Sequence, residues 1–356
     1  MSIDARYATK WETSNPLYIV LKESMSIFQE KRGLEVFLSL FPDSYSNELL
    51  ERNSKHYNLE NLYENIKNHF IAFYDYDPQS EMISKYNRIL NSMFDGRDTN
   101  KRYIYVDELL QLSINLFIAT LLKWYDEKHN NEIYGECFLN TLYLMNNVCI
   151  FGDAPSEDGV RWLMEPFKGD PHIISISEDC FWTIMAFTFA HELAHEYIAS
   201  KKTNRKETKI QGKKKTIDRA KIREEFEADK IAYDIVLRII MEGDDNEFVL
   251  KRYTYLSPMM YMDFFDLFYY TDRVLYKKNV VLSDHPTPKD RKSSLFGIVD
   301  NDIYQFDTEE GNNLYNCFLD AFDLYKEELL LKEQKGKLKT VTYTLRRNQL
   351  EEKYDS

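Results

Sequence analysis

Apolar residues recur along most of this chain at spacings of three and four, the period of a helix buried on one side. Residues 17–21 run on to Ile27 and Phe28 in that rhythm, and 34–40 form a second short apolar segment stopped by Pro42. Leu62, Ile66, Phe70 and Ile71 predict a helix over 59–73, and Ile83, Tyr86, Ile89, Leu90 and Met93 predict another over 80–94. Strongly apolar helices are expected over 108–124 and 137–148, and an amphipathic one over 314–331. Residues 246–278 read as one or two aromatic-rich helices, with Pro258 near a start or a kink. Two short stretches read as strands, 103–106 and the alternating run 172–177. Residues 340–345 form either a further strand or part of a loose charged tail. The expected class is α+β, mainly α: residues 1–100 as a helical accessory region and 101–356 as the main domain, with its motif core at about 170–300.

The most apolar stretch is Phe181-Trp182-Thr183-Ile184-Met185-Ala186-Phe187-Thr188-Phe189-Ala190, broken only by two threonines. A helix apolar on all sides is a buried helix. It leads directly into His191-Glu192-Leu193-Ala194-His195. Residues four apart on a helix stack on one face, so two imidazoles at this spacing can close on one metal ion. Glu192 falls beside that ion, placed to take a proton from water.

A third ligand is offered by Arg223-Glu224-Glu225-Phe226-Glu227-Ala228-Asp229. Glu225, Asp229, Ala232 and Val236 share one core-facing stripe. Carboxylates on an apolar stripe cost free energy unless a cation or hydrogen bonds meet them. The bland alternative is a charged solvated face, because Glu224, Glu227 and Asp234 are acidic too. Glu225 completes a His-His-Glu set with an open fourth position for water, as zinc prefers. Glu224 or Glu227 is next in line as ligand, and Asp229 is placed to orient a ligand histidine.

Further on, Asp284-His285-Pro286-Thr287-Pro288-Lys289-Asp290-Arg291 sets up a helix with Thr287 at the N-cap, Pro288 at N1 and Asp290 at N3. These three motifs in this order resemble the gluzincin metallopeptidases. Glu225-Phe226-Glu227-Ala228-Asp229 and the H-P-x-x-x-x-R segment are similar to those of the HtpX-type and CaaX-prenyl-protein endopeptidases, and to those of the soluble Lit-type phage-exclusion peptidases. The resemblance covers about 181–295. It implies a zinc endopeptidase with His191, His195 and Glu225 on the metal, cutting an intracellular protein substrate, and a triggered role in phage defence. It also implies that His285 faces the metal and steadies the substrate or the oxyanion, and that Arg291 supports its loop or pairs with a carboxylate. Otherwise this segment is a capping loop with no catalytic part. In gluzincins a strand often lies beside the active-site helix and its edge can hold an extended substrate.

Composition narrows the alternatives. The net charge of -13 gives no overall field favouring nucleic acid or an anionic membrane. Its exception is the basic segment 201–215, either a solvated loop or a docking element for an acidic partner. The helical accessory region is the other candidate contact for a regulatory partner. No apolar run is long enough to span a bilayer, and the amino terminus lacks the apolar core of a signal peptide. Cys137, Cys149, Cys180 and Cys317 show no paired spacing, as expected for reduced core thiols in a cytoplasmic protein. Residues 152–170, with Gly, Pro and acidic side chains, read as a loop over the site. His56, His69, His129 and His172 read as surface or structural histidines. The competing function class is a zinc-binding regulatory protein that keeps a peptidase-like fold but hydrolyses little.

Overall fold

A computed structural model describes residues 59–85, 92–95, 102–107, 114, 117–119, 121–123, 171–201, 219–242, 250–276, 285–299 and 308–335. The expected helices at 17–40 and 137–148, the loop at 152–170, the basic segment beyond Lys201 and the tail strand at 340–345 lie outside them. The described part is mainly helical with one small sheet. In order it comprises α1 (Leu59–Tyr74), β1 (Ser80–Lys85), β2 (Ser92–Asp95), β3 (Arg102–Asp107), α2 (Pro171–Lys201), α3 (Arg219–Glu242), a 3-10 turn (Arg252–Thr254), α4 (Ser257–Tyr276), α5 (Pro288–Val299) and α6 (Thr308–Gln334).

The centre is α2, a single helix of 31 residues. Every side chain from Cys180 to Ala194 is buried, as the all-apolar run requires. Its main partner is α3, whose Glu225, Asp229, Ala232 and Val236 are all buried along the predicted stripe. Helix α1 packs on α2 and also touches α3, bringing Tyr63 edge-on to Phe189 with ring centroids 5.7 Å apart. The described positions from Ile114 to Leu122 are helical and buried, in line with the apolar periodicity there.

Residues 172–177 are not a strand: they form the first turns of α2. Ile173, Ser177, Cys180 and Phe181 are buried at helical intervals, so continuity with the long apolar run decided the conformation of a short ambiguous segment. The expected helix over 80–94 is likewise corrected, to β1 and β2. The sheet has the order β1-β3-β2, with β1 parallel and β2 antiparallel to β3. Central β3, Arg-Tyr-Ile-Tyr-Val-Asp, alternates and buries Ile104 and Val106 completely. Ladder bonds to that strand override the local helical spacing of the other two. The sheet spans position 100, with β1 and β2 before it and β3 after it.

Around this centre, α4, α5 and α6 are joined at Asp263 of α4. Its carboxylate accepts hydrogen bonds from Lys292 of α5 and, at 2.7 Å, from Tyr315 of α6. Gly311 lets α6 approach the 3-10 turn, because a side chain there would collide with the Tyr255 ring. No described helix is long and apolar enough to cross a membrane.

Candidate metal centre

Helix α2 presents His191 and His195 on one face, with Nε2 atoms 3.1 Å apart and ring planes at 89°. Glu225 reaches the same point from α3. Its carboxylate oxygens lie 3.5 Å from His191 Nε2 and 3.6 Å from His195 Nε2. Among the described residues these three form a group close enough to hold one metal ion. For metal–ligand distances of about 2.0–2.1 Å, tetrahedral coordination places ligand atoms about 3.3 Å from each other. The Nε2–Nε2 distance of 3.1 Å is close to that spacing, and each imidazole faces its own oxygen of Glu225, Oε2 for His191 and Oε1 for His195.

The surrounding carboxylates strengthen the fit. His191 Nδ1 lies 2.9 Å from Asp229 Oδ1, and His195 Nδ1 lies 3.4 Å from Glu224 Oε1. An imidazole that donates its Nδ1 proton to a carboxylate exposes a bare lone pair at Nε2. Two ring nitrogens and a carboxylate converge at one point, an arrangement that a cation relieves.

Without a cation, a proton relieves part of the same crowding. Burial works to lower the His191 pKa, but hydrogen bonding to Asp229 and Glu225 outweighs it and raises the value to about 9. Burial alone would raise Glu225; its contacts with His191, and the charges of His195 and Arg291, instead lower it to about 2. Asp229, fully buried, is likewise held well below the usual carboxylate range, because Arg291 overcomes the cost of burial. Arg291 donates two hydrogen bonds to it, Nε to Oδ2 at 2.7 Å and Nη2 to Oδ1 at 2.5 Å, a bidentate fork.

Helix α5 delivers that arginine. Thr287 caps it, its Oγ1 accepting from the Asp290 amide at 3.2 Å and donating to the Asp290 carboxylate at 2.6 Å. His285 stands just before the cap, with Nε2 3.4 Å from Glu225 Oε1 and a side chain 48% exposed. The structure therefore brings together His191, His195, Glu225, Asp229, Arg291 and His285. Glu192 is buried on the same helix as the two histidines. Glu227 is exposed, and Glu224 meets the Nδ1 side of His195, so neither sits where a third ligand would. His172 lies in the first turn of α2.

Three participants were not read from sequence. Glu224 was weighed only as a substitute ligand, not as a partner for His195. Tyr261 of α4 is buried; burial raises its pKa, and Glu192 and Arg291 both lie within electrostatic reach. Glu196, the residue after His195, is fully buried. Its carboxylate accepts from Tyr76 Oη at 3.0 Å, the Gln79 amide at 2.9 Å, the Ser80 amide at 3.3 Å, the Ser80 hydroxyl and Arg102 Nη1 at 3.1 Å. A carboxylate on a helix apolar on all sides requires donors from outside that helix, and that signal was present in the sequence.

No protein family, curated protein or solved structure matches this chain. The likeness to gluzincins rests on the three motifs and on the site they form.

Proposed function

We propose that the chain is a zinc metallopeptidase of gluzincin type. The observation that carries this reading is the meeting of two imidazoles and one carboxylate, from two helices, close enough together to hold one metal ion. A zinc ion held there would supply Lewis acidity, polarising a peptide carbonyl and acidifying water.

The chain's own residues supply the rest. Asp229 steadies the His191 imidazole, and Arg291 balances the charge of Asp229. Glu192 takes the proton from attacking water and returns it to the leaving amine. His285, half exposed beside Glu225, is available to donate to the substrate carbonyl as charge develops on it. The substrate is a protein or peptide met in the cytoplasm, and the resemblance to Lit-type enzymes makes triggered antiviral cleavage the favoured setting.

Metal content and cleavage test the reading together. The purified protein is expected to hold one zinc per chain and to cut peptide bonds in an unbiased peptide mixture, with products identified by mass spectrometry. Chelation should abolish cleavage and added zinc restore it. Glu225→Ala should lose both metal and cleavage. Full zinc occupancy in that variant would remove Glu225 from the ligand set. A zinc-loaded wild type that cuts nothing would favour the regulatory, non-hydrolytic alternative.

A further inference from the structure

We propose that Glu224 is a positioning residue for His195, the counterpart of Asp229 on His191. The inference deepens the metal-centre reading and rests on it.

Each ligand histidine has its own carboxylate behind it. Asp229 Oδ1 lies 2.9 Å from His191 Nδ1, and Glu224 Oε1 lies 3.4 Å from His195 Nδ1. In both rings Nδ1 is the atom nearest the supporting carboxylate and Nε2 is turned toward Glu225. All three carboxylates stand on α3, with the ligand between its two helpers in space and next to one of them in sequence. One helix therefore sets both the third ligand and the orientation of the first two.

The two helpers are not equal. The Asp229 side chain is 0% exposed and gripped by the Arg291 fork, whereas Glu224 is 26% exposed. At 3.4 Å the Glu224 contact is also longer than the usual N–H···O range, which ends near 3.2 Å. Changing a carboxylate behind a ligand histidine typically lowers metal affinity about 10- to 100-fold. Asp229 belongs at the upper end of that range and Glu224 at the lower end, making His195 the ligand whose hold on the metal is more easily adjusted.

Zinc affinity, measured by competition with a chromophoric chelator, and the visible spectrum of the cobalt-substituted protein test this without reference to turnover. Glu224→Ala is expected to bind zinc about tenfold more weakly and to alter the cobalt band. Glu224→Gln keeps an oxygen that can accept from Nδ1, so it should recover most of the affinity and the wild-type band. Glu224→Ala with wild-type affinity and spectrum would overturn the inference. So would equal losses in the Ala and Gln variants, which would assign the effect to charge rather than orientation. Wild-type protein that takes up no zinc would remove the metal centre itself. Wild-type uptake matched by Glu224→Ala would remove only the role of Glu224. Because this side chain is partly exposed, circular dichroism should show both variants folded.

Discussion

Glu192 and Glu196 follow His191 and His195 by one residue each, stand one turn apart on α2 and are buried. Their surroundings separate them. Glu196 is met by donors from the chain leading into β1, from β1 itself and from Arg102 at the start of β3, and so docks the sheet on the helix. Glu192 lies within electrostatic reach of the Tyr261 hydroxyl, on the side of α2 where α4 and Arg291 approach. Identical residues one turn apart thus stand in different surroundings. Which donors arrive at a buried carboxylate, rather than its burial, decides its use.

The largest effect expected from this contrast is on chemistry. Glu192→Gln should lower turnover about 10²- to 10⁴-fold, with zinc content and urea midpoint unchanged. Full turnover in that variant would break the contrast at once. Glu196→Ala should act on the fold instead, costing about 3 kcal/mol in urea unfolding because Arg102 and the Ser80 hydroxyl lose a buried acceptor. Turnover per folded molecule should then be the lesser change. A stable Glu196→Ala protein with turnover as low as Glu192→Gln would erase the distinction.

An alkaline titration sharpens the comparison further. Burial first, and then the charge and hydrogen bond of Glu196, raise the Tyr76 pKa from 10.0 to about 12. A raised pKa means that the folded state holds the proton more tightly. The associated stability is complete below pH 10 and is lost as pH rises through about 12. Tyr76→Phe should remove that part of the loss, measured as the stability difference from wild type across the window. The smallest effect belongs to Arg102→Ala. Its side chain is 40% exposed and is one of several donors to the same carboxylate, so the cost should stay at about 1 kcal/mol or less. A loss near that of Glu196→Ala would mean that the ion pair alone holds the sheet.

Much of this was legible because helices declare themselves locally. The apolar run before His191 announced a buried helix, and the Glu225–Asp229–Ala232–Val236 stripe announced which side of α3 faces inward. The Thr287–Pro288–Asp290 cap was readable because each residue acts on a neighbour three positions away. The strands were harder. Nothing within residues 80–94 reports that Ser80 will pair with Arg102 or Met93 with Tyr105, and long-range ladders override a helical period that short. Residues 172–177 failed in the opposite direction, because alternation over six positions carries less weight than the helix they continue. Spacing along one helix says nothing of contacts between helices, so the identity of the carboxylate that Arg291 grips, Asp229, and the contact of Glu224 with His195 required the folded arrangement.

Glu196 and His195 are joined by a peptide bond inside an unbroken helix, so the anchor of the sheet and a ligand of the site move as one piece. Linkage then runs in both directions. Whatever free energy the docked sheet lends to the grip of the site on an ion, an ion once captured must return to the docking of the sheet. Saturation with metal should therefore slow hydrogen exchange at the amides of Gln79 and Ser80, which are bonded to Glu196 rather than to either histidine and so report occupancy at a distance.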